Sequence, residues 1–350
     1  MANFVEKCWP EILQKAVDQG ASDIHLAVNQ PLFLRIQGKL NRVEGFVPDE
    51  MDMGHLFQYL TNQNQRKIFL ESHEIDFAWS FAGQRLRINA FQEQNLLALA
   101  IRRIPFSIPT LDELGMPASL IRLLRMRHGL ILITGRTGAG KTTTLAAFIN
   151  ALNQSQALHI ITLEDPIEYI HTSGTCLLHQ REYNTDFLSF SVALRSALRE
   201  DPDVIVVGEL RDADTIAAAL NAAETGHLVL ASLHTQNAAE TVLRIESFFP
   251  AEQQAQIRTQ LSITLAAIFS QQLLPSFDSQ SRVCAVEALV ASPAIRNLIR
   301  TGKVQQIKSS ILSGVSLGMQ TMEKAIADLA RQQKISSETA QCYLGSEEGV

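Results

Sequence analysis

Several features that define whole classes of protein are missing from this sequence. The longest apolar stretches, such as residues 261–269, fall far short of the roughly 20 residues needed to cross a bilayer, and the N-terminus shows no apolar signal-peptide segment. Cys8, Cys176, Cys284 and Cys342 are scattered without a Cys-x-x-Cys pair, which argues against a disulfide framework and a structural zinc site. We therefore expect a soluble, non-secreted protein with four reduced thiols.

An excess of positive charge is also missing. The 350 residues include 30 Lys and Arg against 36 Asp and Glu, which gives a net charge of −6 with neutral histidine. Proteins that coat nucleic acid need a basic surface that neutralises phosphates, so we expect no nucleic-acid partner. With 46% hydrophobic and 19% charged residues, the chain is long enough and apolar enough for about two folded domains.

Residues 1–104 are expected to form a small mixed α and β domain. Helical stretches are expected near the N-terminus, over about 49–60 and over 62–71. Strand-like residues fill five runs: SDIHLAV, PLFLRIQGKLNRV, IDFAWSF, QRLRINAF and LLALAIRRI. Residues 105–117 hold three prolines and a glycine, which disfavour a continuous helix or central strand, so we place the interdomain linker there.

Residues 118–350 follow a different pattern, in which short apolar runs alternate with helical segments. The runs are GLILIT, HIITL, DVIVV and HLVLASL, and the helices are expected from 140, over 187–199, over 213–224 and from 237. Such alternation predicts an α/β domain with a mostly parallel sheet and crossover helices. From about residue 292 the chain is expected to be helical.

A phosphate-binding loop is predicted at residues 135–142. GRTGAGKT matches GxxxxGK[ST] between an apolar strand and an alanine-rich helix, the context that this motif requires. The glycines let backbone N–H groups point at phosphates, Lys141 can reach the β and γ oxygens, and the Thr142 hydroxyl can bind Mg²⁺. The expected ligands are ATP and Mg²⁺, and the candidate binding residues are Gly135, Arg136, Thr137, Gly138, Ala139, Gly140, Lys141, Thr142 and Thr143.

Polar residues follow three of the predicted strands, at the sheet edge where ligands bind in parallel sheets. HIITL is followed by Glu164 and Asp165, DVIVV by Gly208 and Glu209, and HLVLASL by His234. Glu209 stands where a hydrolysing ATPase needs a carboxylate to orient or deprotonate the attacking water. The alternatives are a helix N-terminal charge for Glu209 and a turn-capping role for Glu164 and Asp165.

His227 and His234 are both candidates for catalysis, but they cannot act together. Seven residues separate them along one strand, roughly 23 Å at about 3.3 Å per residue if the chain is extended, so both cannot reach one γ-phosphate. We expect His234, at the carboxyl end of the strand, to donate a hydrogen bond to the phosphate. For His227 a structural or subunit-interface role is favoured over a catalytic one.

Four segments in order resemble the Walker A, Asp box, Walker B and His box of the type II/IV secretion ATPase superfamily. They are GRTGAGKT, TLEDPIEY (162–169), ALREDPDVIVVGELRD (197–212) and TGHLVLASLHT (225–235). Residues 21–40 resemble the opening of the PilT type of pilus retraction ATPases, and AIRNLIR (294–300) resembles a helix associated with retraction. The resemblance implies a PAS-like α+β N-terminal domain followed by a RecA-like P-loop ATPase domain with a helical C-terminal region.

The same resemblance implies a homo-hexameric motor that couples ATP hydrolysis to type IV pilus retraction. Such a motor is cytoplasmic and reaches the inner membrane peripherally, through a platform protein of the pilus. Pilus extension and type II secretion ATPases usually carry a tetracysteine zinc insertion near residues 273–283; this segment has no zinc-ligand spacing, which favours retraction and predicts no zinc. An extension or secretion ATPase, and a regulatory paralogue that binds nucleotide but hydrolyses weakly, remain alternatives.

A ring ATPase often completes its site with an arginine from the neighbouring subunit, because a guanidinium neutralises charge that develops on the γ-phosphate. The resemblance implies Arg87 and Arg102 as the candidates. Arg103, which directly follows Arg102, is a less favoured alternative to it. The alternative for these strand-borne arginines is that they are solvated edge charges.

Three positions depart from the family pattern. The retraction helix usually continues with Glu where this chain has Thr301, and Arg136 and Thr142 replace the commoner Pro and Ser of the phosphate loop. Thr142 offers magnesium the same hydroxyl oxygen. Thr301 is the departure that points to a divergent paralogue.

Overall fold

The computed structural model describes residues 4–36, 38–81, 84–104, 107–278 and 281–345. Within it the chain divides into two compact units. The first holds Met1–Ser107, Asp165–Ile170 and Glu182–Phe187, and the second holds Ile108–Glu164, His171–Arg181 and Leu188–Val350. Residues 105 and 106 of the expected linker lie outside the described part. The sequence did not predict that two later segments would belong to the first unit.

The first unit is an antiparallel sheet of six strands in the order β3-β2-β1-β6-β5-β4, with three α-helices. Its elements are α1 (Trp9–Asp18), β1 (Asp23–Ala27), β2 (Leu32–Ile36), β3 (Lys39–Val43), α2 (Glu50–Leu60), α3 (Gln63–Ser72), β4 (Glu74–Phe81), β5 (Gln84–Glu93) and β6 (Leu96–Ile104). Burial alternates along β1, where Ile24 and Leu26 are buried, because one face of the sheet packs against the helices. This α+β unit carries Arg87 on β5 and Arg102 on β6.

The second unit contains a sheet of seven strands in the order β13-β12-β7-β11-β10-β8-β9. Its first elements are α4 (Ala118–Leu123), β7 (Gly129–Thr134), α5 (Lys141–Ser155), β8 (His159–Glu164), β9 (Leu177–Glu182), α6 (Phe190–Ala197), β10 (Val204–Val207), α7 (Ala213–Glu224), β11 (Leu228–Leu233) and α8 (Ala238–Ser247). Then follow α9 (Ala251–Thr264), β12 (Leu265–Pro275) and β13 (Arg282–Val290). The pairings from β12 through β7, β11 and β10 to β8 are parallel, and β13 is antiparallel to β12.

Burial explains which of these strands were predictable. Every residue of β7, β10 and β11 is buried, so each strand reads as an uninterrupted apolar run. Strands β9, β12 and β13 were not predicted. The apolar run 261–269 crosses the junction between α9 and β12, so its periodicity fits neither a helix nor a strand over its whole length.

The C-terminal part of the second unit is helical, as expected from about residue 292. It comprises α10 (Pro293–Arg300), α11 (Ile307–Ser313), α12 (Met322–Arg331) and α13 (Ser337–Gly345). Ser292 caps α10 by accepting a hydrogen bond from the Ile295 N–H, and Pro293 occupies the first helical position, where it needs no N–H partner. No helix in the described ranges is long and apolar enough to span a membrane.

Candidate nucleotide-binding and hydrolysis site

The loop between β7 and α5 contains glycines whose positive φ angles other residues rarely adopt. Gly135 has φ +148°, and a Cβ there would lie 2.5 Å from the carbonyl oxygen of Gln271 and 2.8 Å from the Cβ of Ala139. Gly140, the N-cap of α5, has φ +86° and no side chain to cap the N–H groups of the first turn. These N–H groups and the helix dipole together form a site for an anion such as a phosphate.

Lys141 is folded back into this loop. The residue is 9% exposed, and its Nζ donates hydrogen bonds to the carbonyl oxygens of Gly135 at 2.7 Å and Arg136 at 3.2 Å. Because an ammonium group has only donors, a phosphate oxygen can replace either carbonyl as its acceptor. Thr142 follows in the first turn of α5 and is half-buried.

A chain of close polar contacts connects Lys141 to the glutamate beyond β10. Nζ of Lys141 lies 3.2 Å from Nδ1 of His234, and Nε2 of His234 lies 3.0 Å from Oε1 of Glu209. Since Lys141 can only donate, Nδ1 accepts, which puts the proton of a neutral imidazole on Nε2, the nitrogen beside Glu209; this tautomer is assigned from the contacts. Arg211 donates from Nε to the other oxygen of Glu209 at 3.0 Å, a contact that the sequence did not predict.

The register of the central strands brings these side chains together. Leu233 in β11 pairs with Thr134 in β7, and Val207 in β10 pairs with Ala231 in β11. Because the three strands are parallel and in register, the residues that follow them emerge at the same sheet edge. His234, the phosphate loop and the glutamate after β10 meet there for that reason.

Glu164 ends the next strand, β8, on the same edge. Its Oε1 accepts hydrogen bonds from the hydroxyl of Thr162 at 2.7 Å and from the side-chain amide of Gln180 at 3.1 Å. Two donors on one oxygen fix the orientation of the carboxylate. Asp165, the next residue, begins the segment that belongs to the first unit.

Within the first unit, arginines on β5 hold that segment. Arg87 forms an ion pair with Asp76 at 2.5 Å and a longer one with Glu168 at 3.4 Å. Burial disfavours the charged form of Arg87, but the hydrogen bond and charge of Asp76 outweigh it, so the pKa of the guanidinium is raised. Arg85, which the sequence did not single out, donates to the carbonyl oxygen of Ile167 at 3.0 Å.

The two arginines of β6 differ in exposure. The Arg102 side chain is 70% exposed and bonds Asp23 at 2.9 Å. Arg103 donates to the carbonyl oxygens of Ala16 at 3.0 Å and Ala21 at 2.9 Å, which ties the end of α1 to the sheet. Arg102 is therefore the more accessible of this pair.

His227 lies at the other end of β11 from His234. Its Nδ1 is 3.1 Å from the carbonyl oxygen of Ala222 and 3.3 Å from the hydroxyl of Thr225. The whole of β11 separates it from the phosphate loop, so within one chain it is not part of this site.

The side chains present fit a magnesium nucleotide rather than a metal held by protein ligands alone. In the described ranges, no group of three or more His, Cys, Asp or Glu side chains is arranged to hold a metal ion. The Thr142 hydroxyl adjoins the uncapped first turn of α5, where phosphate oxygens would supply the remaining ligands. Residues 279 and 280 of the segment 273–283 lie outside the described part.

Known proteins resemble this chain along almost its whole length. The sequence profile of the type II/IV secretion system proteins matches residues 2–343. The type IV pilus retraction ATPase PilT of Pseudomonas aeruginosa is 46% identical over 332 residues, which cover 94% of this chain and 96% of that protein. A twitching motility protein of Neisseria gonorrhoeae is 45% identical over 308 residues, which cover 88% of this chain and 82% of that protein.

A solved structure has the same fold. The crystal structure of the pilus retraction motor PilT with bound ADP superposes with a TM-score of 0.86 at 43% identity. The match covers 94% of this chain and 95% of that one.

Proposed function

Because this chain belongs to the family of type II/IV secretion system proteins, we propose that it is a motor ATPase that couples ATP hydrolysis to retraction of a type IV pilus. The observation that carries the proposal is the chain of close polar contacts from Lys141 through His234 to Glu209, which spans the phosphate loop and the sheet edge. Similarity to the retraction ATPase over 94% of the chain supports the pilus as the substrate.

Hydrolysis follows from the chemistry of these side chains. In the structure Lys141 donates to two loop carbonyls and lies beside His234. When ATP enters, its β and γ oxygens are stronger acceptors and draw Lys141 away, which frees Nδ1 of His234. Glu209 then takes a proton from the attacking water, whose oxygen bonds to the γ-phosphorus while the bond from that phosphorus to the bridging oxygen breaks, which yields phosphate and ADP. The Thr142 hydroxyl and the phosphates would hold magnesium, which would neutralise charge on the phosphates.

The motor is proposed to work as a homo-hexamer. In such a ring Arg87 and Arg102 are the candidates to contact the γ-phosphate of a neighbouring subunit, and each must then exchange its present carboxylate, Asp76 or Asp23, for phosphate. The proposed location is the cytoplasmic side of the inner membrane, with peripheral association through a platform protein of the pilus. Neither zinc nor nucleic acid is a proposed partner.

Steady-state hydrolysis of ATP with magnesium tests the enzymatic part. We expect Glu209→Gln to lower kcat by about 10²-fold or more, because the amide cannot accept the proton of the attacking water. Glu252→Gln, the same change at an exposed position in the first turn of α9, should leave kcat unchanged. Mass measured in the same buffer should correspond to six subunits for all three proteins. A wild-type hexamer that does not turn over ATP would contradict the proposed hydrolysis. It would favour the alternative of a regulatory paralogue that binds nucleotide but hydrolyses it weakly.

Complementation tests the pilus part. In a Pseudomonas aeruginosa strain that lacks its PilT, this chain should restore twitching motility, and Glu209→Gln should not. If the chain instead restores surface pili in a strain that lacks the extension ATPase, the proposal of a retraction motor is wrong and the chain is an extension ATPase.

A further inference from the structure

A buried carboxylate lies outside the hydrolysis site, between it and the C-terminal helices. Glu287 on β13 is 5% exposed, and one of its oxygens accepts a hydrogen bond from the N–H of Ala238 at 2.7 Å. The backbone N–H of Met322 lies close enough to the same carboxylate to lower its pKa. Ala238 is the first residue of α8 and Met322 the first of α12, so one side chain lies at the amino ends of two helices.

The first of these helices begins close to the hydrolysis site. Ala238 follows His234 by four residues, and Gln236, one of the three residues between them, accepts a hydrogen bond from Arg136 of the phosphate loop at 3.1 Å. Asn237 caps α8 by accepting from the N–H of Glu240. The start of α8 therefore depends on the position of both His234 and the phosphate loop.

The second helix is held by β13 on either side of Glu287. Ala288 exchanges two backbone hydrogen bonds with Gln320, at 2.8 and 3.1 Å, and the Gln320 side-chain amide donates to the carbonyl oxygen of Val286 at 2.8 Å. The start of α12 thus contacts three adjacent residues of β13, Val286, Glu287 and Ala288. Of these three, Glu287 is the residue whose side chain also contacts α8.

These groups surround an open cavity of about 730 Å³ beside the phosphate loop. Its wall includes Arg136 and Thr137 of the loop, Glu287, and the ion pair between Lys308 and Glu323. Empty volume on one side of Glu287 gives the ends of α8 and α12 room to move, whereas a close-packed interior would resist such a shift.

We propose that Glu287 is a positioning residue that transmits the nucleotide state of the phosphate loop to the C-terminal helices, through its hydrogen bond to the amino end of α8 and its position at the amino end of α12. The proposal rests on the proposed function. When nucleotide draws Lys141 away from His234, the segment that leads from His234 to Ala238 shifts. Since the carboxylate that accepts from Ala238 also lies against Met322, on a strand that is bonded to Gln320 on both sides of Glu287, α12 shifts with it.

Amide hydrogen exchange of the full-length protein, with and without ADP and magnesium, tests this coupling. In the wild type, nucleotide should change exchange in residues 236–247, at α8, and in residues 321–331, at α12. In Glu287→Met, which has similar volume but no strong acceptor, the response at α8 should remain and the response at α12 should be lost. Glu287→Gln, which keeps one acceptor oxygen, should restore the response at α12.

A second variant removes the donor instead of the acceptor and keeps the test valid if Glu287→Met does not fold. Ala238→Pro deletes the N–H at the first position of α8, where proline fits a helix. Ala213→Pro is the matched control, because Ala213 is the first residue of α7 and follows an N-cap with nearly the same backbone angles. We expect Ala238→Pro, and not Ala213→Pro, to abolish the nucleotide response at α12.

The outcomes separate this proposal from the proposed function. A wild-type response at α8 but not at α12, or an undiminished α12 response in both Glu287→Met and Ala238→Pro, would overturn the coupling and leave hydrolysis standing. No response at either helix in the wild type would overturn both. Absent turnover with the coupling intact would overturn hydrolysis alone.

Discussion

Glu209 shows how much a single side chain depends on its neighbours at this site. One of its oxygens lies 3.0 Å from Nε2 of His234, and the other accepts a hydrogen bond from Nε of Arg211 at 3.0 Å. These two neighbours hold the carboxylate in one orientation at the sheet edge.

Gly135 is predicted to contribute to the stability of the fold through its backbone conformation. Gly135→Ala should lower the free energy of unfolding by about 2–4 kcal/mol, because φ is +148° and the added Cβ would lie 2.5 Å from the Gln271 carbonyl oxygen. Urea denaturation measures this. Gly54→Ala is the matched control: Gly54 is inside α2 with nothing within 4 Å of the added Cβ, so stability should rise by roughly 0.5–1 kcal/mol. Equal effects would contradict the account of Gly135.

Arg87 is predicted to act in catalysis and not only in the ion pair with Asp76. Arg87→Ala should leave nucleotide affinity near that of the wild type and lower turnover of the assembled ring, because a guanidinium stabilises charge on the γ-phosphate. Asp76→Ala breaks the same ion pair but keeps the arginine. If both variants lose the same fraction of turnover, or Arg87→Ala loses none, the arginine has no role at the phosphate.

At the scale of elements, strand β5 positions a segment that lies far from it in sequence. Arg85 donates to the Ile167 carbonyl oxygen and also forms an ion pair with Glu182 at 3.4 Å. The side chains of Arg85 and Glu182 are 16% and 11% exposed, so water compensates little if either partner is removed. The segment that directly follows Glu164 is therefore fixed by a strand of the first unit.

Arg85→Ala should destabilise the protein by about 1–3 kcal/mol, because it leaves the buried Glu182 carboxylate with fewer donors. Arg42→Ala is the control: Arg42 pairs with Glu44 on the surface, where the two side chains are 59% and 83% exposed. An exposed pair of this kind contributes about 0–1 kcal/mol. Chemical denaturation of both variants measures the difference, and a cost for Arg85→Ala no larger than that of the control would refute the account.

At the scale of the whole molecule, stability is predicted to depend on pH through Glu287. The pKa of this carboxyl is raised from its ordinary value of 4.5 to about 7, mainly by burial; the charge of Glu323 contributes to the rise, and the N–H groups of Ala238 and Met322 and the charge of Lys308 oppose it. Between these two pH values the folded protein holds a proton that the unfolded chain has lost. Stability from this group therefore falls as pH rises from 4.5 through 7.

Glu287→Gln removes this titration. Relative to the wild type, the variant should gain stability between pH 5 and pH 8, by up to about 3 kcal/mol, since each pKa unit corresponds to 1.36 kcal/mol. Thermal or urea unfolding of both proteins at the two pH values measures the change. A difference between wild type and variant that is the same at pH 5 and pH 8 would show that Glu287 does not titrate in this range.

The sequence by itself determined the elements whose signal is local. The phosphate loop is recognisable because glycine spacing, Lys141 and Thr142 lie within eight residues, and β7, β10 and β11 because strands buried on both faces are unbroken apolar runs. Placing Glu209 and His234 after such strands also needed only the rule that parallel strands end at one edge.

Tertiary structure alone decided the contacts between residues distant in sequence. The pairing of β12 with β7, the inclusion of 165–170 in the first unit, and the hydrogen bond of Glu287 to Ala238 join parts of the chain that share no local pattern. Such contacts depend on which strands pair and on which polar groups are buried together. Periodicity along the chain records only which face of an element is apolar, so these partners became visible only in the folded molecule.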